Sequence, residues 1–292
     1  MSEITREIAS QPACWVEAAE SVAGVASLLP RVGERVAAVG CGTSLYVSEA
    51  YAALREAAGH GETDAFPASE FPTGRRYDRV VAISRSGTTT EVVRLLERLG
   101  PQAPTLAISA VAGSPIPEIA THRILMPFAD ERSVVQTRFA TSALALLRTH
   151  LGEELAIPIA DGETAVVADL PLEVGAFDHF VFLGHGWTLG LSHEGALKMR
   201  EAAQAHTESY PAMEYRHGPI SGAGDRTFAW ILGTSDPSVA EDVRSTGAAV
   251  RVAELDPMAE LILIQRAAVA LASSRGLDPD RPRHLTRSVV LS

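Results

Sequence analysis

The feature that most constrains the fold of this chain is a pattern that occurs twice. Residues 36–54, VAAVGCGTSLYVSEAYAAL, align with residues 181–199, VFLGHGWTLGLSHEGALKM. Each stretch is typical of a buried strand, a G-x-G turn and a helix whose first turn carries a hydroxyl residue. When the two G-x-G turns are superposed, Ser44 falls opposite Thr188. The repetition predicts two similar α/β halves of ordinary domain length.

Between these landmarks, short apolar runs alternate with longer helical patterns. The first half has candidate strands at 34–40, 79–83, 104–109 and 122–128 and candidate helices at 43–57, 89–99 and 133–151. The second half has candidate strands within 181–184 and at 226–233 and 248–255, and candidate helices at 192–206, 238–247 and 258–274. The alternation predicts an α/β fold with mainly parallel sheets flanked by helices.

The repeat also predicts the domain organisation. We expect an N-terminal helix plus a first domain at residues 1–155, which binds phosphate, and a second domain with a C-terminal tail at 156–292. A Gly-, Glu- and Pro-containing linker is expected at about 152–175.

The composition and charge of the chain argue against several classes of function. The net charge is −11, and no basic cluster exceeds an Arg pair, which argues against nucleic acid or an acidic membrane as partner. The N-terminus lacks the apolar core of a signal peptide, and no apolar run approaches membrane-spanning length, so we expect a cytoplasmic protein. The only cysteines are Cys14 and Cys41, and no histidine lies at metalloprotease spacing from a partner. We therefore predict neither a metal site nor a cofactor.

The stretch AISRSGTTTEVVRLL, residues 82–96, joins a buried strand to an amphipathic helix through small hydroxyl residues and a Gly. Hydroxyl donors and unpaired N–H groups at a helix N-terminus suit a phosphate, although an ordinary capped turn looks similar. The corresponding stretch of the second half is LGTSDPSVAEDV, where Asp236 repels an anion and Pro237 lacks an N–H. We therefore expect one phosphate site per chain.

Three polar segments follow strands or begin helices in the first half: GCGTS, SRSGTTT and ERSVVQTRFATSAL. Ligands of open parallel sheets bind at the carboxyl ends of the strands, where the first two segments meet. Their convergence favours a small phosphorylated ligand.

The helix predicted at 192–206 carries Glu194, Lys198 and Glu201 on one face. Glu194 and Lys198 have the spacing of an ordinary solvated ion pair. A carboxylate beside an ammonium can equally be suited to proton transfer. His217 follows in an irregular polar stretch, AHTESYPAMEYRHGPIS, where a histidine is more suggestive of function than one on a core helix.

Six motifs now stand in order along the chain: GCGTS, SRSGTTTEV, residues 131–137, EGALKMRE, EYRHGP and RPRHLTRSVVL. Together they resemble the sugar-isomerase (SIS) family. More narrowly, the chain resembles the isomerase half of glucosamine-6-phosphate synthase and the related aminosugar-phosphate deaminases and deglycases. The resemblance runs from residue 7 to the C-terminus.

The resemblance implies two flavodoxin-like SIS domains and an obligate homodimer that binds a sugar phosphate. Glu201 matches the base that moves a proton between C1 and C2, and Lys198 is its neighbour. His217 matches the ring-opening histidine, which reaches the site from the partner subunit. The implied phosphate contacts are Ser84, Arg85, Ser86 and Thr89, and the implied sugar contacts are Cys41, Gly42, Thr43, Ser44, Val134 and Gln136.

The chain departs from the synthase pattern at three points. Gln136 stands where the synthase has a Ser, and Arg287 stands where it has a Schiff-base Lys. An Arg stays protonated and cannot act as an amine nucleophile, although it can hold a carboxylate, hydroxyl or phosphate, or simply pair with a surface carboxylate. The chain opens MSEI, without the Cys of a glutaminase domain, so we do not expect glutamine-dependent synthesis.

These features favour the reverse of the synthase reaction. The predicted activity is that of a phosphosugar isomerase and deaminase acting on a 2-amino-2-deoxyhexose 6-phosphate or an N-substituted analogue. The alternatives are an aldose–ketose phosphate isomerase without deamination and a non-catalytic phosphosugar sensor.

Overall fold

The computed structural model describes residues 2–101 and 103–291. The chain separates into two compact units. Unit I contains residues 13–155 and 286–292, and unit II contains residues 1–12 and 156–285. The domain boundaries expected from the sequence stay a prediction.

Two helices open the chain, α1 (Glu3–Ala9) and α2 (Gln11–Val25). Unit I then follows the expected alternation of strands and helices. Its elements are β1 (Val36–Gly40), α3 (Thr43–Ala57), β2 (Thr63–Pro67), β3 (Arg79–Ile83), α4 (Thr90–Leu99), β4 (Thr105–Ser109), α5 (Pro115–Ile119), β5 (His122–Leu125) and α6 (Arg138–His150).

The five strands of unit I form one sheet in the order β2-β1-β3-β4-β5, with every pairing parallel. This is the strand order of flavodoxin-like sheets. The central strands β1, β3 and β4 are buried along their whole length, which explains their continuous apolar sequences. Helix α4 buries Val92, Leu95 and Leu96 against this sheet.

Unit II repeats the plan on a smaller scale. Its elements are α7 (Ala156–Val167), β6 (His179–Gly184), α8 (Thr188–Ala203), β7 (His206–Pro211), β8 (Thr227–Ile231), α9 (Ser238–Ser245), β9 (Ala249–Val252) and α10 (Pro257–Ser274). Its strands are all parallel, in the order β7-β6-β8-β9. The predicted α/β class with two parallel sheets flanked by helices is confirmed.

The two G-x-G turns have the same geometry, which supports the predicted repeat. Gly42 and Gly186 have φ values of 54° and 56°, a conformation that favours glycine. A Cβ on Gly40 or Gly184 would lie 2.5 Å from backbone atoms of Ser44 or Thr188. Glycine at these strand ends therefore lets the following helix begin directly against the strand.

Several element predictions were wrong in their bounds. The region expected to be a linker contains α7, which packs against α10. Helix α6 begins at Arg138 rather than 133, because the Glu131 carboxylate accepts hydrogen bonds from the backbone N–H groups of Thr137 and Arg138. Helix α8 begins at Thr188, where the repeat predicts its first turn, so it starts before the segment 192–206, and it ends at Ala203 rather than 206.

Within residues 2–101 and 103–291, the helices are all too short or too polar to cross a membrane.

Candidate active site

The first loop of unit I follows β1 and carries the predicted sugar contacts. Thr43 and Ser44 are buried in the first turn of α3, and Gly42 precedes them at positive φ. Cys41 is half-buried, and burial raises the pKa of its thiol to about 11, with a smaller contribution from the charge of Glu91. The Cys41 side chain therefore remains a neutral thiol at pH 7, which suits packing or weak hydrogen bonding rather than nucleophilic attack.

The second loop follows β3, the strand beside β1, and it contains the predicted phosphate contacts. The Gly87 N–H donates to Ser84 Oγ at 3.2 Å, and the Thr88 N–H donates to Ser86 Oγ at 3.2 Å. Thr89 precedes the first residue of α4, and its side chain makes no capping hydrogen bond there. The loop is thus internally braced, and it leaves the Thr89 hydroxyl at the helix N-terminus.

The C-terminal tail contacts this loop within unit I. Ser288 Oγ lies 2.8 Å from Thr88 Oγ1 and 3.1 Å from Ser86 Oγ. The Thr90 N–H donates to the Val289 carbonyl at 3.1 Å. A phosphate that binds the hydroxyls of this loop must therefore displace Ser288 or share these groups with it.

Arg85 has a buried guanidinium that joins two segments of unit I. It donates to the carbonyls of Ser133, Val134 and Arg287 at 3.0, 3.3 and 2.5 Å. It also lies 3.7 Å from the Glu131 carboxylate. In this arrangement Arg85 joins the segment before α6 to the C-terminal tail, and its contact with a phosphate stays a prediction.

The segment before α6 contributes Val134 and Gln136, both partly buried. Gln136 Oε1 is buried and has no hydrogen-bond partner among the described residues. A buried amide oxygen without a partner is costly, so a ligand hydroxyl that donates to it would be stabilised there.

Arg287 lies on the tail and pairs with a partly exposed carboxylate, which is one of the alternatives expected from the sequence. Its guanidinium forms an ion pair with Asp130, and its Nε donates to the Glu131 carbonyl at 2.9 Å. Both charged side chains are partly exposed. These contacts fix the tail at the position where the synthase pattern has its lysine.

In unit II, helix α8 brings three charged side chains together as predicted. Lys198 Nζ lies 3.4 Å from Glu194 and 2.5 Å from Glu201 Oε2. Lys198 and Glu194 are 1% exposed, whereas Glu201 is 20% exposed. The alternative of a solvated surface ion pair is wrong, because the ammonium is buried between the two carboxylates. Glu201 is the member of the cluster that retains access to solvent.

The loop after β7 carries the remaining predicted residue, His217. It follows a short helical turn, its N–H donates to the Glu214 carbonyl at 2.9 Å, and its side chain is exposed. The structure therefore leaves the imidazole accessible.

Unit II has a loop that corresponds to the predicted phosphate loop of unit I, and this loop contains the carboxylate of Asp236. Asp236 accepts hydrogen bonds from the Ser238 N–H at 3.0 Å and from Arg216 at 2.9 Å. The hydrogen bond from Arg216, followed by those from Ser238, lowers the pKa of Asp236 to about 2. A negative charge held at this position disfavours a second anion there, and the single phosphate site in unit I stays a prediction.

The hydrogen bond between Thr88 and Ser288 was not predicted, because the two residues lie far apart in the chain and meet only in the folded unit. Both segments contain hydroxyl residues, but nothing in the sequence pairs them.

No family model matches the chain. It is 28% identical over 323 residues to the glutamine–fructose-6-phosphate aminotransferase (isomerizing) of Methanothermobacter thermautotrophicus, covering 93% of this chain and 54% of that relative. The chain thus spans about half the length of the relatives it matches. The chain is a homologue of the isomerase (SIS) domain of these aminotransferases. The predicted family resemblance is confirmed.

Solved structures show the same fold. Glucosamine-6-phosphate deaminase from Thermotoga maritima matches with a TM-score of 0.82 and 24% identity, over 99% of this chain and all of that chain. Tagatose-6-phosphate ketose/aldose isomerase from Escherichia coli also matches with a TM-score of 0.82, at 18% identity, over 100% of this chain and 96% of that one. This SIS homologue therefore has the fold of phosphosugar isomerases.

Proposed function

We propose that this SIS homologue is a phosphosugar isomerase and deaminase acting on a 2-amino-2-deoxyhexose 6-phosphate or an N-substituted analogue. The observation that carries the proposal is the cluster on α8. The buried Lys198 ammonium holds the carboxylate of Glu201 at 2.5 Å, and Glu201 keeps access to solvent. A general base must be fixed in position and reachable by the substrate, and Glu201 meets both conditions.

The substrate's phosphate is assigned to unit I. Thr89 offers a hydroxyl that makes no capping hydrogen bond at the N-terminus of α4, where the helix dipole favours negative charge. The other assigned phosphate contacts are Ser84, Arg85 and Ser86. The sugar contacts are Cys41, Gly42, Thr43, Ser44, Val134 and Gln136, among which the unpartnered Gln136 oxygen suits a sugar hydroxyl.

The chemistry proceeds in three steps. His217 assists opening of the sugar ring by proton transfer between the ring oxygen and the C1 hydroxyl. Glu201 then takes the proton from C2 and returns it to C1, while the C1 oxygen gains a proton and the C2 nitrogen loses one. These transfers convert the open-chain aminoaldose into a ketose imine. Water adds to the imine carbon, the carbon–nitrogen bond breaks, and ammonia or an amine leaves with a proton to give the ketose phosphate. No external oxidant or reductant is needed.

Arg287 separates this proposal from synthesis of the amino sugar. A guanidinium cannot form an imine with a keto sugar, whereas deamination begins from a substrate that already carries nitrogen. The Arg287 contacts with Asp130 and the Glu131 carbonyl suit a role in holding the tail and orienting sugar oxygens.

The proposal extends to the organisation of the protein. Each unit would be one flavodoxin-like SIS domain, and the protein would act in the cytoplasm as a homodimer in which His217 serves the partner's substrate. The exposed position of His217 is compatible with that role.

An aldose–ketose isomerase without deamination is the second candidate. Its support is the match to tagatose-6-phosphate ketose/aldose isomerase, whose TM-score of 0.82 equals that of the deaminase. Ring opening and proton transfer by Glu201 are common to both reactions.

A substrate panel distinguishes the candidates. Purified protein is offered hexose 6-phosphates, 2-amino-2-deoxyhexose 6-phosphates and N-substituted analogues, and ketose and ammonia or amine are measured separately. The proposal expects ketose and amine in equal amounts from a nitrogen-bearing substrate. Ketose without amine supports the second candidate, and binding without any turnover across the panel supports a phosphosugar sensor.

A further inference from the structure

The amino end of the sheet in unit II gathers three side chains that the proposed reaction does not use. His179 begins β6 and His206 begins β7, and the parallel register pairs these two residues directly. Glu208 is two residues after His206, so the two side chains point to the same face of the sheet. The parallel pairing thus brings together residues whose sequence spacing gives no metal-binding signal.

This face is not the one covered by helix α8. Thr207, between His206 and Glu208, donates a hydrogen bond to the Ala196 carbonyl of α8 at 3.1 Å. Strand alternation therefore turns His206 and Glu208 away from α8. The sheet separates the three residues from the helix that carries Lys198 and Glu201.

The geometry of the three side chains suits a metal ion. One potential ligand atom from each of His179, His206 and Glu208 lies within 4.8 Å of the others. His179 Nε2 and Glu208 Oε2 are 3.3 Å apart. Two ligands held at about 2.0–2.1 Å from one tetrahedral Zn²⁺ are separated by about 3.3 Å.

Both of these atoms are buried, and apart from each other neither has a hydrogen-bond partner among the described residues. His206 is exposed and stacks on His179 with ring centroids 4.7 Å apart. The cluster is therefore buried at the His179 and Glu208 atoms and open to solvent at His206, where an ion can enter. The open side also leaves room for a water ligand.

The surroundings orient the buried histidine for this purpose. The second ring nitrogen of His179, Nδ1, lies 3.2 Å from Thr227 Oγ1. A hydrogen bond to the non-coordinating nitrogen fixes ring orientation, as metal-binding histidines require. Here it directs Nε2 toward Glu208.

We propose that His179, His206 and Glu208 bind a divalent transition-metal ion of the zinc type. Two imidazoles and one carboxylate form a ligand set used for Zn²⁺, and the neighbouring first-row ions Co²⁺ and Ni²⁺ accept the same donors. The bound ion ties the edge strand β7 to β6.

Metal binding is measured directly. The protein is freed of metal with a chelator and then titrated with Zn²⁺ against a chromophoric competitor, and Co²⁺ is added separately to record its visible spectrum. The expected result is one ion per chain and the visible bands of a low-symmetry Co²⁺ site. His206→Ala and Glu208→Gln should each weaken zinc binding by about tenfold or more, since even loss of an outer-shell partner costs about that much.

The matched control is His122→Ala, which removes an exposed histidine of β5 in unit I. Its zinc affinity should equal that of the parent protein. Circular dichroism and the metal-free thermal midpoint check that the variants fold, and the Zn²⁺-induced rise of that midpoint should vanish only in the two site variants. Unchanged zinc affinity in both site variants, an equal loss in the control, or the absence of cobalt bands would overturn the proposal.

Discussion

At the scale of single residues, the hydroxyl groups of the proposed phosphate site differ in the hydrogen bonds that they already make. Ser84 and Ser86 accept hydrogen bonds that brace their own loop, and Ser86 also contacts Ser288 of the tail. Thr89 makes no capping hydrogen bond. Its hydroxyl is therefore the one whose removal should affect ligand binding with the least effect on the fold.

Thr89→Val removes this hydroxyl at nearly constant volume. One hydrogen bond to a charged acceptor contributes about 1.5–3 kcal/mol, so the Kd for a hexose 6-phosphate should rise by about tenfold or more. Calorimetric titration measures the change, and Thr89→Ser should restore most of the affinity. A valine variant that binds as tightly as the parent would place the phosphate elsewhere.

At the scale of elements, the junction of β6 and α8 depends on Gly184. A Cβ added there would lie 2.5 Å from the Thr188 carbonyl oxygen and 2.6 Å from Leu189 Cα, both backbone atoms that cannot move aside cheaply. Gly184→Ala should destabilise the protein by about 1–3 kcal/mol, the usual cost of overpacking.

The matched control for this prediction is Gly24→Ala in helix α2, where an added Cβ meets nothing within 4 Å. Helix propensity predicts a stabilisation of up to about 1 kcal/mol there. Urea unfolding followed by circular dichroism compares the two variants. Equal effects would show that the close contact at the β6–α8 junction relaxes without cost.

The elements also show which parts of the fold can be predicted from sequence. The strands β1, β3 and β4 are central and buried, so their apolar runs were recognisable. Strands β2 and β7 were not predicted, because they lie at the sheet edges, are only partly buried and lack a continuous apolar run.

The candidate site was predictable to a similar degree. The i, i+4 and i+7 spacing placed Glu194, Lys198 and Glu201 on one face, and the structure confirms that placement. Three features were not predicted: the burial of Lys198, the hydrogen bonds from Arg85 to backbone carbonyls, and the contact of Ser288 with the loop after β3. They depend on contacts between residues far apart in sequence, for which helical and strand periodicity gives no signal.

At the scale of the whole molecule, the proposed function requires chemistry from both units and from a second subunit. In that proposal the phosphate contacts are assigned to unit I, whereas Glu201 and His217 belong to unit II. Because His217 is assigned to the partner's substrate, the proposal predicts an effect that can be observed only in a dimer of two different chains.

Mixing Glu201→Gln subunits with His217→Ala subunits should regenerate activity. If each site takes Glu201 from one chain and His217 from the other, a mixed dimer contains one site with both residues intact. Differently tagged chains purified as mixed dimers, assayed for ketose formation, measure the recovery, and each variant dimer alone is the control. Verified mixed dimers that stay as inactive as the controls would argue that both residues serve the same chain's substrate.

The central claim is that Glu201 moves a proton between C2 and C1 of an aminosugar phosphate, and solvent exchange of that proton tests it most directly. Protein is incubated with a 2-amino-2-deoxyhexose 6-phosphate in D₂O, and the C2 proton is followed by NMR. We predict exchange or transfer with the parent protein and a loss of rate of about 10²–10⁴ in Glu201→Gln, with substrate still bound. An exchange rate in Glu201→Gln equal to that of the parent protein would contradict the claim.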